Sequence, residues 1–370
     1  MEKTDRPRIL YLDAARCAAI FLIALNHAVN RTWDNYDFVQ QEFVSIRLAS
    51  TILKAMLTVV SRYGVPLFLM ITGALLLNRR FDTKEEVRRF YRHNWLSVFI
   101  TGEIWTFFGF WFFVLLKPYN APLAGASLTE KLWGCVKTLL FLDPVRFDSM
   151  WYVPMILSVY LIIPIFAWIL YRAPAPRLLL LPLAGAFLCD MLLPMINGWL
   201  EIFGLPKMNF VLYDSNFVSV YLIYIAAGWQ ISRGGLEKLS NRMLILITAL
   251  SYLSCCAVQY YCYSCSTHLL AYMSPAILFS SVFVFECFRR WAGRLRRWEK
   301  PMAIVSSSAF ALYLLHVFFL WGFHWYMYFT GWHRAAKLLF MLFAPLGLSG
   351  LIIWPLSKIP FCRKYLFLIK

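Results

Sequence analysis

Arg16 and His27 stand eleven positions apart in the apolar run DAARCAAIFLIALNH, from Asp13 to His27. Eleven residues of helix make close to three turns, so both side chains share a face, about 16 Å apart along the axis. A guanidinium at one level can hold a phosphate or carboxylate through paired hydrogen bonds. An imidazole at the other level can exchange a proton near neutral pH. Asp13, three residues before Arg16, keeps a plainer reading open: an Asp13–Arg16 pair and a hydrogen-bonded core histidine. In either reading these groups face protein or water, because a charge at mid-span costs about 2.5–3.5 kcal/mol on insertion scales.

Further polar residues interrupt apolar runs downstream. Arg62 precedes Gly64 and Pro66, and either lines a cavity or reaches for the interface. Glu103 and Asp190 can orient an imidazole, bind acceptor hydroxyls or pair with an arginine. His316 contacts substrate, supports His27, or is a satisfied core histidine. Trp151 and Tyr152 open an apolar run. An aromatic belt accounts for them there; a stacking surface for sugar is the functional alternative. Arg89 and Arg92, three apart, share a face if helical. A phosphate dock and a basic loop against anionic lipid both fit that pair, and Arg88 reads as topological. No metal-ligand motif, P-loop or dinucleotide fingerprint is present, so no metal is expected.

These residues need helices that cross a bilayer. The 370-residue chain is 61% hydrophobic and 15% charged, with a mean hydropathy of +0.62. Soluble domains carry more charge and less apolar surface. The expected fold is all-α, a polytopic membrane helix bundle. Ten spans are expected near 9–29, 51–77, 94–116, 150–170, 178–200, 217–232, 243–263, 268–288, 306–329 and 335–356, the second broken at Gly64 and Pro66. A net charge of +17 does not point to nucleic acid, because the basic residues lie between spans. Lys3, Arg6 and Arg8, then Arg79–Arg92, Arg172 and Arg177, Arg233–Arg242, Arg289–Lys300 and Lys358–Lys370 fall on one side. Both termini are therefore expected in the cytoplasm. The first run is too long, and too charged, for a cleaved leader. The long outer connection, about 117–149, contains an apolar-periodic stretch, Thr129–Leu142, suited to the interface. The nine cysteines read as packing residues, with Cys262 and Cys265 the only CxxC. The whole chain, 1–370, reads as one membrane domain.

Arg16, ten residues and His27 resemble the first-span motif of the acyltransferase-3 family of integral membrane acyltransferases. SRYGVPLFLMITGALLL (Ser61–Leu77) is similar to its second-span pattern, with Thr72-Gly73-Ala74 where the family often has Ser-Gly-Tyr. Arg89-Phe-Tyr-Arg92 resembles its RxxR motif. MWYVPMILSVYLIIPIF (Met150–Phe166) and SAFALYLLHVFFL (Ser308–Leu320) resemble later spans in the same order. The resemblance implies transfer of an acyl group, often acetyl, from cytosolic coenzyme A to a hydroxyl of an envelope saccharide or glycolipid. It implies a plasma membrane, bacterial inner membrane by type, as the location. It assigns catalysis to His27 and Arg16, and donor binding to Arg89, Arg92 and Arg16. Arg62, Glu103, Trp151 and His316 are the expected acceptor-side residues. A secondary transporter of a sugar or anion would use the same buried charges as a permeation path. A non-catalytic assembly subunit is the third class.

Overall fold

The computed structural model describes residues 8–33, 36–37, 42–43, 48–115, 125–142, 150–172, 179–208, 220–264, 270–328 and 330–369. Lys3, Arg6, Arg177, Cys265, Lys370 and much of the long connection lie outside them. Among the described residues, eight helical runs are long and apolar enough to cross a membrane. One of these, Pro275–His324, spans fifty residues and covers α12 (Pro275–Trp291) and most of α13 (Glu299–Tyr328), joined by a 3-10 turn. A further helix, α10, is described over Tyr221–Ser232. The bundle is thus polytopic and helical as expected, and its helices fall on the expected runs. A pair of two-residue strands, β1 (Tyr36–Asp37) and β2 (Glu42–Phe43), follows the first helix.

Helix α1 (Leu10–Thr32) is the hub, packing on α12, α13, α2 (Leu48–Ser61), α3 (Gly64–Leu76) and α14 (Arg334–Leu356). Its buried stripe is largely alanine and β-branched residues, with Ala15, Ala19, Ala28 and Val29 fully covered. Small side chains let neighbouring backbones come close. Helix α1 runs parallel to α13: Arg16 meets Ser306 and, further along, His27 meets His316.

The second crossing is broken, as the sequence implied. Helix α2 (Leu48–Ser61) stops, Arg62 and Tyr63 form a turn, and α3 (Gly64–Leu76) resumes. Pro66 falls in the first turn of α3, where a missing N–H breaks no helical bond. Gly64 is required by contact: a Cβ there would lie 2.7 Å from Ile23 Cγ1 and 2.9 Å from the Ala19 carbonyl. On the other side α3 crosses α10 with backbone against backbone. A Cβ on Gly73 would collide with the Ile225 carbonyl, and one on Gly228 with the Met70 backbone. The Gly73 of the TGA triplet is therefore a crossing point.

Helix α4 (Lys84–Phe90) starts with a Thr83–Glu86 capping box and runs through a π-helical turn, Tyr91–Trp95, into α5 (Leu96–Leu115). The wider turn points Tyr91 Oη and Trp95 Nε1 at the Leu161 and Leu157 carbonyls of α7 (Tyr152–Arg172). The expected interfacial stretch is α6 (Leu128–Leu139), capped by Ser127 and Glu130. Cys135 packs under α5, while Leu128, Leu132, Trp133 and Val136 stay exposed, as a helix lying along an interface requires. Hydrogen bonds from the Ser127 backbone and hydroxyl hold the Glu130 carboxyl below its ordinary pKa.

Helix α8 (Leu180–Ala186), a π-helical turn holding Asp190, and α9 (Leu193–Ile202) make the next run. Helix α11 (Asn241–Ser264) carries the buried, free cysteines Cys255, Cys256 and Cys262. Helix α14 (Arg334–Leu356) closes the bundle. The tail then returns to α5, where Thr101 and Trp105 donate to the Tyr365 and Leu366 carbonyls and Phe367 is buried.

One cluster of basic residues has a second role. Glu286 on α12 is fully buried and accepts from Arg289 Nε at 2.8 Å and Arg290 Nε at 2.5 Å. Arg290 also donates to the Leu236 and Leu239 carbonyls, tying α12 to the turn after α10. These arginines close the α10–α11 turn as well as marking a side of the membrane.

The glycine crossing gives a direct test. Gly228→Ala should cost about 3 kcal/mol or more, because the added methyl meets rigid backbone. Gly350→Ala, with open space around its Cβ position, should cost almost nothing. Thermal unfolding of the two variants in detergent measures the difference.

Candidate active site

At one end of α1 the plainer expectation is met. Arg16 Nη1 lies 3.4 Å from Asp13 Oδ1 and donates to Ser306 Oγ at 2.7 Å. Ser306 Oγ in turn donates to Asp13 Oδ1. Both Arg16 contacts use the same terminal nitrogen, and 25% of the side chain is exposed. The pair therefore fixes the guanidinium without closing it off. The Arg16 charge is felt at the hydroxyls of Tyr152 and Tyr160 on α7. Tyr160 also lies beside Thr72 and within reach of the Arg79 charge. Thr72 itself donates to the Phe68 carbonyl at 2.9 Å. Two arginines, one threonine and one tyrosine thus converge at this level.

His27 lies further along the same face. Its ring centroid is 5.6 Å from that of His316, with the planes tilted by 51°. His316 is fully buried. Its Nδ1 lies 2.8 Å from the Tyr313 carbonyl and 2.9 Å from the Leu312 carbonyl. Two carbonyl acceptors require Nδ1 to carry the proton, so Nε2 carries a lone pair. That Nε2 is buried and has no hydrogen-bond partner among the described residues. His27 makes no hydrogen bond among them either, and it keeps part of its surface accessible. The charge of Arg31, one turn along from His27, reaches both imidazoles, and its guanidinium lies 3.9 Å from the Trp321 ring centroid.

An aromatic wall joins the two levels. Tyr313 lies 6.4 Å from His316 and 5.6 Å from Tyr152 between ring centroids. The Tyr313 hydroxyl is buried without a partner among the described residues. Tyr152 leads back to Arg16 and sideways to Trp151, 6.2 Å away. Trp151 stacks on Tyr272 at 5.7 Å and 28°. The structure turns Trp151 and Tyr152 into the bundle, where the sequence also allowed a lipid-facing belt. Arg62 donates to Gln259 Oε1 at 2.7 Å, and its neighbour Ser61 accepts from Asn26, the residue before His27.

The remaining expected residues stand apart. Arg89 and Arg92 are exposed and make no hydrogen bond or ion pair among the described residues. Phe90, between them, is buried with its ring 5.9 Å from that of Tyr160, so their helix reaches the Arg16 level through an apolar contact. Glu103 is half-buried and makes no hydrogen bond or ion pair among the described residues; it does not meet either histidine. Asp190 is not a partner of His27 or His316. His333 caps α14, accepting from the Ala335 N–H.

Arg31, Arg79 and Tyr313 join the site without having been singled out in the sequence. Arg31 had a signal, its i+4 spacing from His27, and Tyr313 had its i−3 spacing from His316. Arg79 was hidden in a basic loop.

The arrangement offers cations at one level, two neutral-capable imidazoles at another, and an aromatic path between them. That suits moving a group from an anionic carrier to a nucleophile activated by a base. No curated protein and no solved structure matches the chain. The family model described as an acyltransferase domain, acyltransferase-3, matches residues 9–356. The chain therefore belongs to the acyltransferase-3 family and is a multi-pass membrane acyltransferase.

Proposed function

We propose that this enzyme moves an acyl group, acetyl in the simplest case, from cytosolic acyl-coenzyme A to a hydroxyl of an envelope saccharide or glycolipid. The chain works as one domain with both termini cytoplasmic, in a bacterial inner membrane. Coenzyme A is anionic through its pyrophosphate and ribose phosphate. The Arg16–Arg79 level meets that need inside the bundle, and exposed Arg89 and Arg92 meet it at the surface. The distance from Arg16 to His27, about 16 Å along the helix, is comparable to an extended pantetheine arm, so phosphates held at one level bring the thioester to the other.

The observation that carries the reading is the histidine pair. His27, accessible and without a hydrogen bond, removes the proton from the acceptor hydroxyl as its oxygen attacks the thioester carbonyl. The C–S bond breaks, and the leaving thiolate takes that proton back from His27. His316 is a positioning residue: its anchored Nδ1 leaves Nε2 as the acceptor that can take the second N–H of His27 once the imidazole turns. This is the role an aspartate plays in a hydrolase triad. Arg31 supplies positive charge where the tetrahedral oxyanion forms. Family membership sets aside the transporter alternative.

Membranes supplied with radiolabelled acetyl-coenzyme A should pass label to the lipid or glycan fraction. His27→Ala should lower that transfer by about 10²-fold or more at equal protein level, and an unchanged rate would remove His27 from the chemistry. His316→Asn keeps a donor near the Nδ1 position and removes the Nε2 acceptor. It should lower kcat about tenfold with KM nearly unchanged, whereas a purely structural role would show as lost protein at unchanged specific activity.

A further inference from the structure

We propose that Arg62 anchors an acid group of the acceptor, so that the acceptor is a saccharide bearing a carboxylate. The assignment rests on His27 as the transfer centre. It starts from a missing counter-ion. Arg289 and Arg290, in the last turn of α12, share the buried carboxylate of Glu286. Among the described residues Arg62 has no such partner. Its single hydrogen bond among the described residues goes from Nη1 to the neutral amide oxygen of Gln259, itself 2% exposed. Among the described residues the groups beside it are the hydroxyls of Tyr263 and Tyr272 and the thiols of Cys262 and Cys255, with no carboxylate. A guanidinium among such groups at membrane depth is costly unless an anion completes it. Four of its five donors remain for that anion.

The position selects which anion. Arg62 follows Ser61, whose hydroxyl accepts from Asn26 Nδ2 at 3.0 Å, next to His27. Arg62 is thus on the level of the histidines and about three helical turns of α1 beyond Arg16. Donor phosphates held near Arg16 and Arg79 do not reach it while the thioester is at His27. The acceptor does, because its reacting hydroxyl must meet His27. A run of rings joins the two: Tyr272 stacks on Trp151, Trp151 meets Tyr152, and Tyr152 meets Tyr313 beside His316. Aromatic faces of this kind suit the apolar C–H face of a pyranose. Outside, Lys54 Nζ lies 4.6 Å from the ring centroid of Tyr263, a residue that also borders Arg62. Two cations therefore flank one tyrosine on the approach. A single guanidinium fork matches one carboxylate in both charge and geometry.

The test reads binding, not transfer, so its failure is separable from failure of the acyl-transfer reading. The full chain in lipid nanodiscs is titrated with methyl β-D-glucuronide, methyl β-D-glucoside and glucose 6-phosphate by calorimetry. Wild type and His27→Ala should bind the glucuronide at least tenfold more tightly than the glucoside. Arg62→Gln should reduce that ratio to about one while keeping wild-type affinity for coenzyme A, which checks that the variant is folded. Arg62→Lys should retain part of the preference. Equal affinities in wild type, undetectable glucuronide binding, or a preference that survives Arg62→Gln would each overturn the assignment. Tighter binding of the phosphate than of the glucuronide would overturn the carboxylate. Loss of coenzyme A affinity in Arg62→Gln alone would move Arg62 to the donor.

Discussion

Everything in this molecule depends on how α1 satisfies its polar side chains where water is absent. A membrane span leaves no room for an unmatched charge, and α1 carries an acid, two arginines, a histidine and two asparagines between Asp13 and Arg31. Its parallel packing on α13 is the solution. At one level Ser306 closes a three-membered set with Asp13 and Arg16. At the next His316 is brought beside His27, its ring pinned by its own helix backbone. The same pairing that makes α1 tolerable in a bilayer therefore sets the distance between the two levels, which in the proposed mechanism hold the donor's phosphates and exchange the proton. Structure and function are not competing readings of Arg16: the Asp13 contact uses one terminal nitrogen and holds the rest of the fork in place.

The second constraint is close backbone approach around α3. Gly64 admits α1, and Gly73 and Gly228 admit α10. Because α3 is held between these neighbours, the break before it occurs at a defined height, beside Asn26 and His27. That is why Arg62 stands where an acceptor would lie and not at a lipid surface. Aromatic residues then run both ways from the break, toward Arg16 through Tyr152 of α7 and toward Arg62 through Trp151, just before α7, and Tyr272.

Much of this was legible in the chain. The apolar runs located the helices, because span length and composition are properties of single segments. The shared face of Arg16 and His27 followed from helical period alone. The break at Gly64 and Pro66 was visible because those residue types interrupt helices for local reasons. What could not be read depends on which helices meet. His316 lies 289 positions from His27, and no local rule says that they touch. Arg79, Arg289 and Arg290 sit in loops or span ends whose basic character is already explained by orientation, so their inward roles at Tyr160 and Glu286 were masked. Glu103 shows the converse: an acid in an apolar run drew attention for its cost, and among the described residues it makes no hydrogen bond or ion pair.

The central claim is that the two levels of α1 serve opposite faces of one membrane. Its most direct measurement compares sealed vesicles of opposite orientation, made from the same cells and supplied with radiolabelled acetyl-coenzyme A that cannot cross. The account predicts that label enters the lipid or glycan fraction of inverted vesicles, whose cytoplasmic Arg16 level faces the medium, and not that of sealed right-side-out vesicles. Equal labelling in both orientations, or labelling of right-side-out vesicles alone, would contradict it.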